Sequence, residues 1–338
     1  MKTLGKIKLA PIFADGAVLQ ANKPIRIFGE GDGELTARFL GEEKSLSAGG
    51  RFCLELSPRD YGGPYELELS SGGESLTLKN IFVGEVLLLA GQSNIAFKLK
   101  SSSYPPEKYE NEPMLRCFCG GIYGDEHTFA PEDGWVGCEG ERVAEFSAIG
   151  YHLGLEICKT RGVAVGLLAS YLGSSVIESW MPRELTDKPE FYLPPEEKYD
   201  SPYVRGEHNE KGRLYAVKQQ PLTPYSVGNA IWYQGESNSG PGEHKIYADL
   251  LAELIACWRR DFRDPKLPFT VVQIADRDAR NDAAWHGIQA AQARVAELVD
   301  GVFAVRSADV CESDDIHPKT KHLLAHRIFE SLEKNRLI

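Results

Sequence analysis

The sequence predicts a mixed α/β protein in which a β-rich segment precedes a larger α/β domain. The first observation is length, because 338 residues suggest one large domain together with a smaller one. The second is composition, since 42% hydrophobic and 26% charged residues are typical of a globular chain. The third is a change of pattern near residue 85, where short alternating runs give way to buried strands that alternate with amphipathic helices.

The segment 1–84 has the alternation of apolar and polar residues that is typical of strands. Gly, Pro, Asp and Ser separate its short runs, and these residues favour turns. The runs are AVLQ, IRIFGEG, LTARFL, RFCLELS, YELELSS and LTLKNIFVG. Helical periodicity is absent here, so we predict a small β-sandwich-like domain.

The segment 85–338 alternates compact apolar strands with long helices. The predicted strands are 86–91, 164–170, 229–235, 269–275 and 301–308. The predicted helices are 143–160, 244–262, 284–299 and 320–334. This alternation implies right-handed crossovers and a mostly parallel sheet, in which ligands bind beyond the carboxyl ends of the strands.

Charge and composition exclude some classes of partner. The net charge of −11 argues against a nucleic-acid partner, which requires a basic surface. No run of 18 apolar residues exists, so we expect no membrane partner. The N-terminus lacks the apolar core of a signal peptide, and seven cysteines fit reduced thiols. We therefore expect a cytoplasmic protein, or a secreted or periplasmic one if the natural chain carries a leader.

The first polar cluster follows the strand 86–91, where Gly91, Gln92, Ser93 and Asn94 interrupt an apolar run. One interpretation makes Ser93 or Asn94 a helix N-cap, which is worth about 1 kcal/mol. The other is that the sheet presents Ser93 for chemistry. Ile95 stands where an α/β-hydrolase nucleophile elbow needs its second glycine, so this is not such an elbow.

Two further clusters follow the next predicted strands. In SYLGSSVIESW (170–180), Gly173 allows close approach to the backbone and offers an N–H. In IWYQGESN (231–238), a buried strand runs into Gln234, Glu236 and Asn238. Such buried amide and carboxylate groups must be satisfied locally or used on a ligand.

The fourth cluster is SDDIHPKTKH (313–322). One helical turn would bring Asp314 and His317 within about 5–6 Å, so that the carboxylate fixes the imidazole tautomer. Asp315 competes for this role. The alternative is a solvated aspartate pair at a helix N-terminus, where the helix dipole favours anions.

Together the four clusters predict acyl transfer. Ser93 would attack an acyl carbon, His317 would take its proton, and an aspartate would orient the imidazole. The backbone N–H groups of Ser93 and Gly173 and the Gln234 amide could stabilise the oxyanion. A minor rival is a glycosidase that uses Glu178 and Glu236 as its carboxylate pair. The pair His322 and His326 lacks the glutamate of a metalloprotease motif, which favours a structural role.

The motifs GQSN, LGSSVIESW, IWYQGESN and DIHP, in this order, resemble those of the sialate O-acetylesterase family in the SGNH hydrolase superfamily. The resemblance implies a three-layer α/β/α, flavodoxin-like domain over 85–338 that removes acetyl groups from sugars, with no metal and no organic cofactor. By position, Ser93 matches the nucleophile, His317 the base, Gly173 the oxyanion glycine and Gln234 the amide of the third motif. The residues expected to support the site or bind substrate are Gln92, Asn94, Glu178, Trp180, Glu236 and Asn238.

The aspartate is the main departure from the pattern. The wider superfamily places it three residues before the histidine, at Asp314, whereas the DIHP wording places it at Asp315. We favour Asp314; a third possibility is a Ser–His pair with its acid supplied from elsewhere. Ile95 in place of Met and Ser174-Ser175 in place of Gly-Thr are expected to tune the pocket only.

The substrate stays open between two kinds of small O-acetylated carbohydrate. A sialic acid carries a carboxylate and needs a nearby cation, for which Arg183, Arg205, Arg213 and Arg277 are candidates. A neutral ester such as an acetylated xylo-oligosaccharide needs only aromatic walls and hydrogen bonds. A further alternative is a catalytically silent carbohydrate-binding protein, and the sequence predicts no oligomeric state.

Overall fold

The computed structural model describes residues 2–119, 129 and 133–338. Its strands are β1 (Thr3–Leu4), β2 (Ile7–Leu9), β3 (Val18–Gln20), β4 (Ile25–Phe39), β5 (Glu42–Leu56), β6 (Gly62–Ser71), β7 (Glu74–Gly91), β8 (Glu112–Cys119), β9 (Trp135–Cys138), β10 (Val165–Tyr171), β11 (Asn229–Tyr233), β12 (Phe269–Val272) and β13 (Val302–Val305). Its α-helices are α1 (Ser93–Ala96), α2 (Ala148–Arg161), α3 (Arg183–Thr186), α4 (Tyr247–Asp261), α5 (Ala283–Leu298) and α6 (Lys321–Lys334).

Short helical turns fill the long connections between these elements. A π-helical turn spans Tyr215–Gln219. The 3-10 turns are Leu99–Ser101, Pro106–Lys108, Gly140–Glu145, Ile177–Trp180, Pro189–Phe191, Pro195–Glu197, Pro202–Val204, Glu207–Asn209, Gln220–Leu222, Glu236–Asn238, Glu243–Lys245 and Asp278–Arg280.

The strand β7 organises the fold because it belongs to two parts of the sheet. Its first part pairs antiparallel with β6, and its last seven residues pair parallel with β10, from Glu85 to Gly91. On its other side the same end pairs parallel with β11. β7 therefore crosses the predicted boundary between residues 84 and 85 without a break, and the division into domains 1–84 and 85–338 stays a prediction.

The N-terminal strands form mostly antiparallel pairs. β4 and β5 make a long hairpin, β2 and β6 pair with β4, and β3 adds to β7 in parallel. The alternation seen in the sequence matches this arrangement, since β4 buries Leu35, Ala37 and Phe39 while the residues between them are less buried. A separate sandwich-like domain is not confirmed.

The C-terminal strands run in the order β13-β12-β11-β7-β10-β8-β9, and only β8 and β9 pair antiparallel in it. The five strands predicted after residue 85 each overlap an observed strand. The predicted mixed α/β fold is confirmed, with one sheet of mixed direction running through both parts of the chain.

Helices cover both faces of the parallel strands. α2 lies over Leu89 and Leu167, because a Cβ added at Gly150 would come within about 3 Å of both side chains. Trp232, paired with Ala90, points to the opposite face because side chains alternate along a strand. There it packs edge-to-face on Trp258 of α4. The carboxyl ends of β7, β10 and β11 are thus held between two layers of helix.

Within the residues described, no helix is long and apolar enough to cross a membrane.

Candidate active site

A forced turn at the end of β7 places Ser93. Gly91 has a φ of +131°, and a Cβ on it would lie 2.1 Å from the carbonyl oxygen of Tyr233 in β11. Only glycine fits this close approach. Ser93 then begins α1, whose N-cap is Gln92 and makes no side-chain capping bond. Capping by Ser93 or Asn94 is therefore wrong as the explanation of this stretch.

Ser93 and His317 are brought together across 224 positions of sequence. The Ser93 hydroxyl and the His317 Nε2 are 2.8 Å apart. The imidazole stacks on Phe97, with ring centroids 6.0 Å apart and planes inclined by 25°. This is the geometry that a serine and its general base need.

The surroundings of His317 favour its neutral form. Burial lowers the pKa of the imidazole, the charges of Lys321 and Arg277 lower it further, and the Asp315 carboxylate opposes them. A neutral imidazole is able to accept a proton from Ser93 at neutral pH.

The predicted aspartates do not reach the imidazole. Asp315 accepts a hydrogen bond from the backbone N–H of His317 at 3.0 Å, which lowers the pKa of its carboxyl. Asp314 is exposed, and in the described part of the chain no carboxylate accepts a bond from His317 Nδ1. The reason is local: residues 313–317 form bends, and α6 begins only at Lys321, so the expected helical turn is absent. An acid role for Asp314 or Asp315 stays a prediction.

Gln234 braces the site instead of facing it. Its amide nitrogen donates to the Ser175 carbonyl at 2.9 Å and to Asn238 Oδ1 at 2.8 Å, while its oxygen accepts from Tyr247. An amide has two N–H hydrogens, and both are taken. The structure therefore differs from the expectation that this amide donates to an oxyanion.

Gly173 lies beside the Ser93 turn. Leu172 donates its N–H to the Gly91 carbonyl at 3.0 Å, which joins the end of β10 to the end of β7. Ser175 hydrogen-bonds to the same carbonyl at 3.4 Å. Gly173 is partly exposed in this position, and its role as an oxyanion donor stays a prediction.

Buried side chains join the predicted clusters to one another. Gln92 Oε1 accepts from the backbone N–H groups of Gly235 and Ser237 at 3.4 and 3.3 Å. Asn238 Oδ1 accepts from the N–H of Ile177, and its nitrogen donates to Glu178 at 3.0 Å. These residues hold the loops after β7, β10 and β11 in register.

Glu243 completes this network. It lies outside the four sequence clusters, and apart from being a carboxylate nothing in the sequence marks it as part of the site. It accepts from Asn238 and from the backbone N–H groups of Tyr199 and Gly240. Burial, together with the charge of Glu178, raises its pKa to about 7. Its function is to hold the loop that follows β11.

The carboxylates Glu178 and Glu236 do not form a glycosidase pair. Glu236 is only 3% exposed and accepts from Asn94 at 2.5 Å, whereas Glu178 accepts from Asn238. Burial raises the pKa of Glu236. The enclosed Glu236 carboxylate cannot reach a sugar, although Glu178 is partly exposed, and the supporting role of both glutamates stays a prediction.

Lys321 is a site residue that the sequence analysis missed. Its ammonium is wholly buried and donates to Asn94 Oδ1 at 2.5 Å. Burial lowers its pKa to about 8. The only sequence signal is its place four residues after His317, which would put both on one side of a helix that in fact begins at Lys321 itself.

Two residues expected near the pocket lie in the core. Trp180 is wholly buried, donates to Ser175 Oγ at 3.0 Å and packs edge-to-face on Trp232. Ile95 is also wholly buried. Neither side chain is able to contact a substrate in this structure, so Trp180 supports the site from behind and Ile95 does not tune the pocket directly.

Of the four candidate arginines, Arg277 lies near the reacting groups. Arg205 pairs with Asp200 at 2.5 Å and Arg213 with Glu207 at 2.8 Å, both at exposed sites. The loop that carries Arg277 is tied to the histidine loop, because Asp278 donates its N–H to the Ser313 carbonyl at 2.8 Å. The charge of Arg277 is close enough to lower the pKa of His317.

The last helix carries two histidines that pair with α2. His322 lies beside His152 with ring centroids 5.8 Å apart, and His326 bonds Glu156 at 2.8 Å. Across 2–119, 129 and 133–338, no group of three His, Cys, Asp or Glu side chains is placed to hold a metal ion.

Comparison with known proteins decides the family. The family model described as carbohydrate esterase, sialic acid-specific acetylesterase matches residues 83–332, about three quarters of the chain. The chain belongs to this family. The resemblance inferred from the four motifs is confirmed, and the segment matched contains Ser93, His317 and all of the supporting residues.

Individual relatives of the acetylesterase family agree with this assignment. Sialate O-acetylesterase of Rattus norvegicus is 23% identical, over 82% of this chain and 62% of its own length. The Homo sapiens protein of the same name is 22% identical, over 82% of this chain and 59% of its own length. This chain thus spans about three fifths of the curated relatives it matches.

A solved carbohydrate acetylesterase from Xanthomonas citri has a similar structure. Its TM-score is 0.83 at 27% sequence identity, and the match covers 97% of this chain and 74% of that one. The coverage includes the N-terminal strands as well as the parallel part of the sheet. The whole arrangement of this acetylesterase-family chain is therefore similar to that of a carbohydrate acetylesterase.

Proposed function

We propose that this protein is an O-acetylesterase of small acetylated carbohydrates that uses Ser93 as nucleophile and His317 as general base. The observation that carries the proposal is the 2.8 Å contact between Ser93 Oγ and His317 Nε2. It lies at the carboxyl ends of parallel strands, where open α/β sheets bind their ligands. Membership of a family of carbohydrate esterases supports the substrate class.

The reaction proceeds in two balanced steps. Ser93 Oγ attacks the acetyl carbonyl carbon while its proton passes to His317 Nε2, and the tetrahedral oxyanion collapses to an acetyl-serine. The leaving sugar oxygen takes the proton from His317. Water then attacks the acetyl-serine, again losing a proton to His317, and acetate leaves as Ser93 regains its hydrogen.

Backbone N–H groups at Ser93 and Gly173 are the proposed oxyanion donors. Gln234 is assigned to bracing because both of its amide hydrogens are used within the protein. Asp315 holds the backbone of His317, and an acid on the imidazole comes from Asp314 or Asp315 only if the loop 313–317 rearranges when substrate binds. Without that rearrangement, Ser93 and His317 form a pair in which no carboxylate of a described residue contacts the imidazole.

We propose the three-layer α/β/α arrangement of SGNH hydrolases for residues 85–338. Helices on both faces of the parallel strands support it. The N-terminal β segment is proposed to be a distinct domain that shares β7 with this layer.

The proposed substrate is an O-acetylated sialic acid. Arg277 supports this choice, because it supplies a positive charge close to His317 and has no ion pair to a described residue. An anionic sugar needs such a cation, whereas an acetylated xylo-oligosaccharide does not.

Acetate release from both substrate classes, with fluorophosphonate labelling, tests the proposal. We expect covalent label on Ser93 and faster release from O-acetylated sialic acid than from acetylated xylo-oligosaccharide. Faster acetate release from the acetylated xylo-oligosaccharide would support the esterase activity but would indicate a neutral sugar as the substrate. Absence of both label and acetate release would indicate a carbohydrate-binding protein instead.

A further inference from the structure

A buried ammonium lies against Asn94 and Phe97, the residues that adjoin Ser93 and His317. Lys321 is 0% exposed, and its Nζ lies 5.2 Å from the ring centre of Phe97 and 5.7 Å from that of Tyr233. Its hydrogen bond to Asn94 is the one bond to a described side chain that it makes. Burying a charge costs free energy, and an apolar side chain of similar volume is often equally stable in such a place. A structural role alone does not account for a cation here.

The Asn94 amide connects this ammonium to both reacting residues. Asn94 follows Ser93 in the chain, and its nitrogen donates to the carbonyl of Ile316 at 2.9 Å, immediately before His317. The same nitrogen donates to Glu236. Because Lys321 occupies the amide oxygen, the NH₂ group is forced to face the Ile316 carbonyl and the Glu236 carboxylate.

The ammonium and the imidazole also share one aromatic ring. Phe97 stacks on His317, and Lys321 lies over the same ring. The charged groups that face His317 are Lys321 from α6, Arg277 from the loop after β12, and Asp315 from its own loop. Glu236 faces Lys321 from the loop after β11. Two cations thus oppose one exposed carboxylate around the imidazole.

We infer that Lys321 is a positioning residue of the reaction: it orients Asn94, which ties the Ser93 helix to the His317 loop, and it places a buried positive charge over the aromatic ring that stacks on His317. The inference rests on the proposed function. Lys321 keeps the base available to Ser93 at acidic pH and touches no substrate.

The test compares the pH dependence of kcat/KM for an aryl acetate in the wild type and in Lys321→Met. Removing the cation lets His317 hold its proton to higher pH, so the acid limb moves upward by roughly half a unit to one pH unit. A decrease in kcat accompanies it, because Asn94 is no longer held. Lys319→Met is the matched control, since this exposed lysine lies two positions away, and its acid limb stays where the wild type has it.

A second variant separates charge from folding. The double variant Lys321→Met/Glu236→Gln removes the buried cation together with the buried carboxylate. Its pH profile is measured if Lys321→Met alone does not fold. The same upward movement is expected. Glu236→Gln alone retains the Lys321 cation, so we expect the acid limb of its kcat/KM profile not to move to higher pH.

Imidazole NMR titration of His317 supplies a readout that needs no turnover. In the wild type, we expect the pKa of His317 to lie below its ordinary value of 6.5, because burial and two nearby cations lower it. A value at or above 6.5, or an unmoved acid limb in the folded Lys321→Met protein, overturns the inference. Failure of the proposed function is different: the wild type then takes no label at Ser93 and hydrolyses no acetate, while the titration still reports on Lys321.

Discussion

Asn94 donates a hydrogen bond to the backbone carbonyl of Ile316 at 2.9 Å, which ties the residue after the proposed nucleophile to the residue before its base. The two residues are 222 positions apart in the sequence. The distance between Ser93 and His317 is therefore set by a side chain that belongs to neither. This bond therefore joins the two loops in the free protein, in the way that supporting hydrogen bonds hold the groups of an active site.

Ser93→Ala removes the proposed nucleophile. We expect kcat/KM for an aryl acetate to fall by at least about a thousandfold, as loss of a nucleophile does in serine hydrolases. Ser101→Ala is the matched control, since this exposed serine lies eight positions later in a 3-10 turn. Turnover that survives in Ser93→Ala would refute the mechanism.

Gly91→Ala tests the turn that presents Ser93. The added Cβ would lie 2.1 Å from the Tyr233 carbonyl, at a φ of +131°. We expect a loss of stability of about 2 kcal/mol or more and a large loss of activity, because the two strand ends must separate. Gly49→Ala is the control, since no atom lies within 4 Å of its added Cβ. Equal melting temperatures for the two variants would contradict the assignment.

Gln234→Ala distinguishes a brace from an oxyanion donor. The change removes the amide donor from the Ser175 carbonyl and one hydrogen bond each from Asn238 Oδ1 and the Tyr247 hydroxyl, which should lower the free energy of unfolding by about 2–3 kcal/mol. Loss of a true oxyanion donor lowers kcat by about a hundredfold or more. We expect a smaller decrease per folded molecule, measured by active-site titration with a fluorophosphonate. A decrease of a hundredfold with unchanged stability would return Gln234 to the oxyanion site.

Arg277→Gln tests the preference for an anionic sugar. Removing the cation should raise KM for an O-acetylated sialic acid by roughly tenfold or more, because a charge-assisted hydrogen bond is worth about 1.5–3 kcal/mol. KM for a neutral aryl acetate should change little. Arg205→Gln is the control, since that arginine pairs with Asp200 at an exposed site. An equal change of KM for both substrates would point to the neutral sugar.

His152→Phe should weaken the acid sensitivity of the fold. Burial and the neighbouring His322 lower the pKa of His152 to about 4, against 6.5 in its ordinary state. Since the folded pKa is the lower one, the unfolded chain binds more protons between these values. The resulting stability is present above pH 6.5 and is lost as pH falls towards 4, by about 2–3 kcal/mol. Melting temperatures between pH 4 and 7.5 should fall less steeply in the variant, and an identical slope would exclude His152 as the cause.

The sequence predicts Ser93 and His317 correctly as neighbours because each follows a buried strand of the same parallel sheet, so topology alone brings them to one edge. The expected contact between Asp314 and the imidazole needs a helical turn that residues 313–317 do not form, so the acid role of Asp314 stays a prediction. Gln234 could not be assigned from the sequence, because the direction of an amide depends on partners such as Tyr247 and Ser175. Lys321 escaped notice for the same reason: its partner Asn94 lies 227 positions away.

The course of β7 bears on how a protein of this family can be rearranged by recombination. One strand of 18 residues begins against β6 and ends two residues before Ser93. Glu85, where the parallel part begins, accepts bonds from Gln20 and Tyr61 of the N-terminal segment. The two parts therefore cannot be exchanged independently. A chimaera joined at residue 84 would have to keep the twist and register of the replaced half of β7. Otherwise Ser93 would no longer lie within hydrogen-bonding distance of His317.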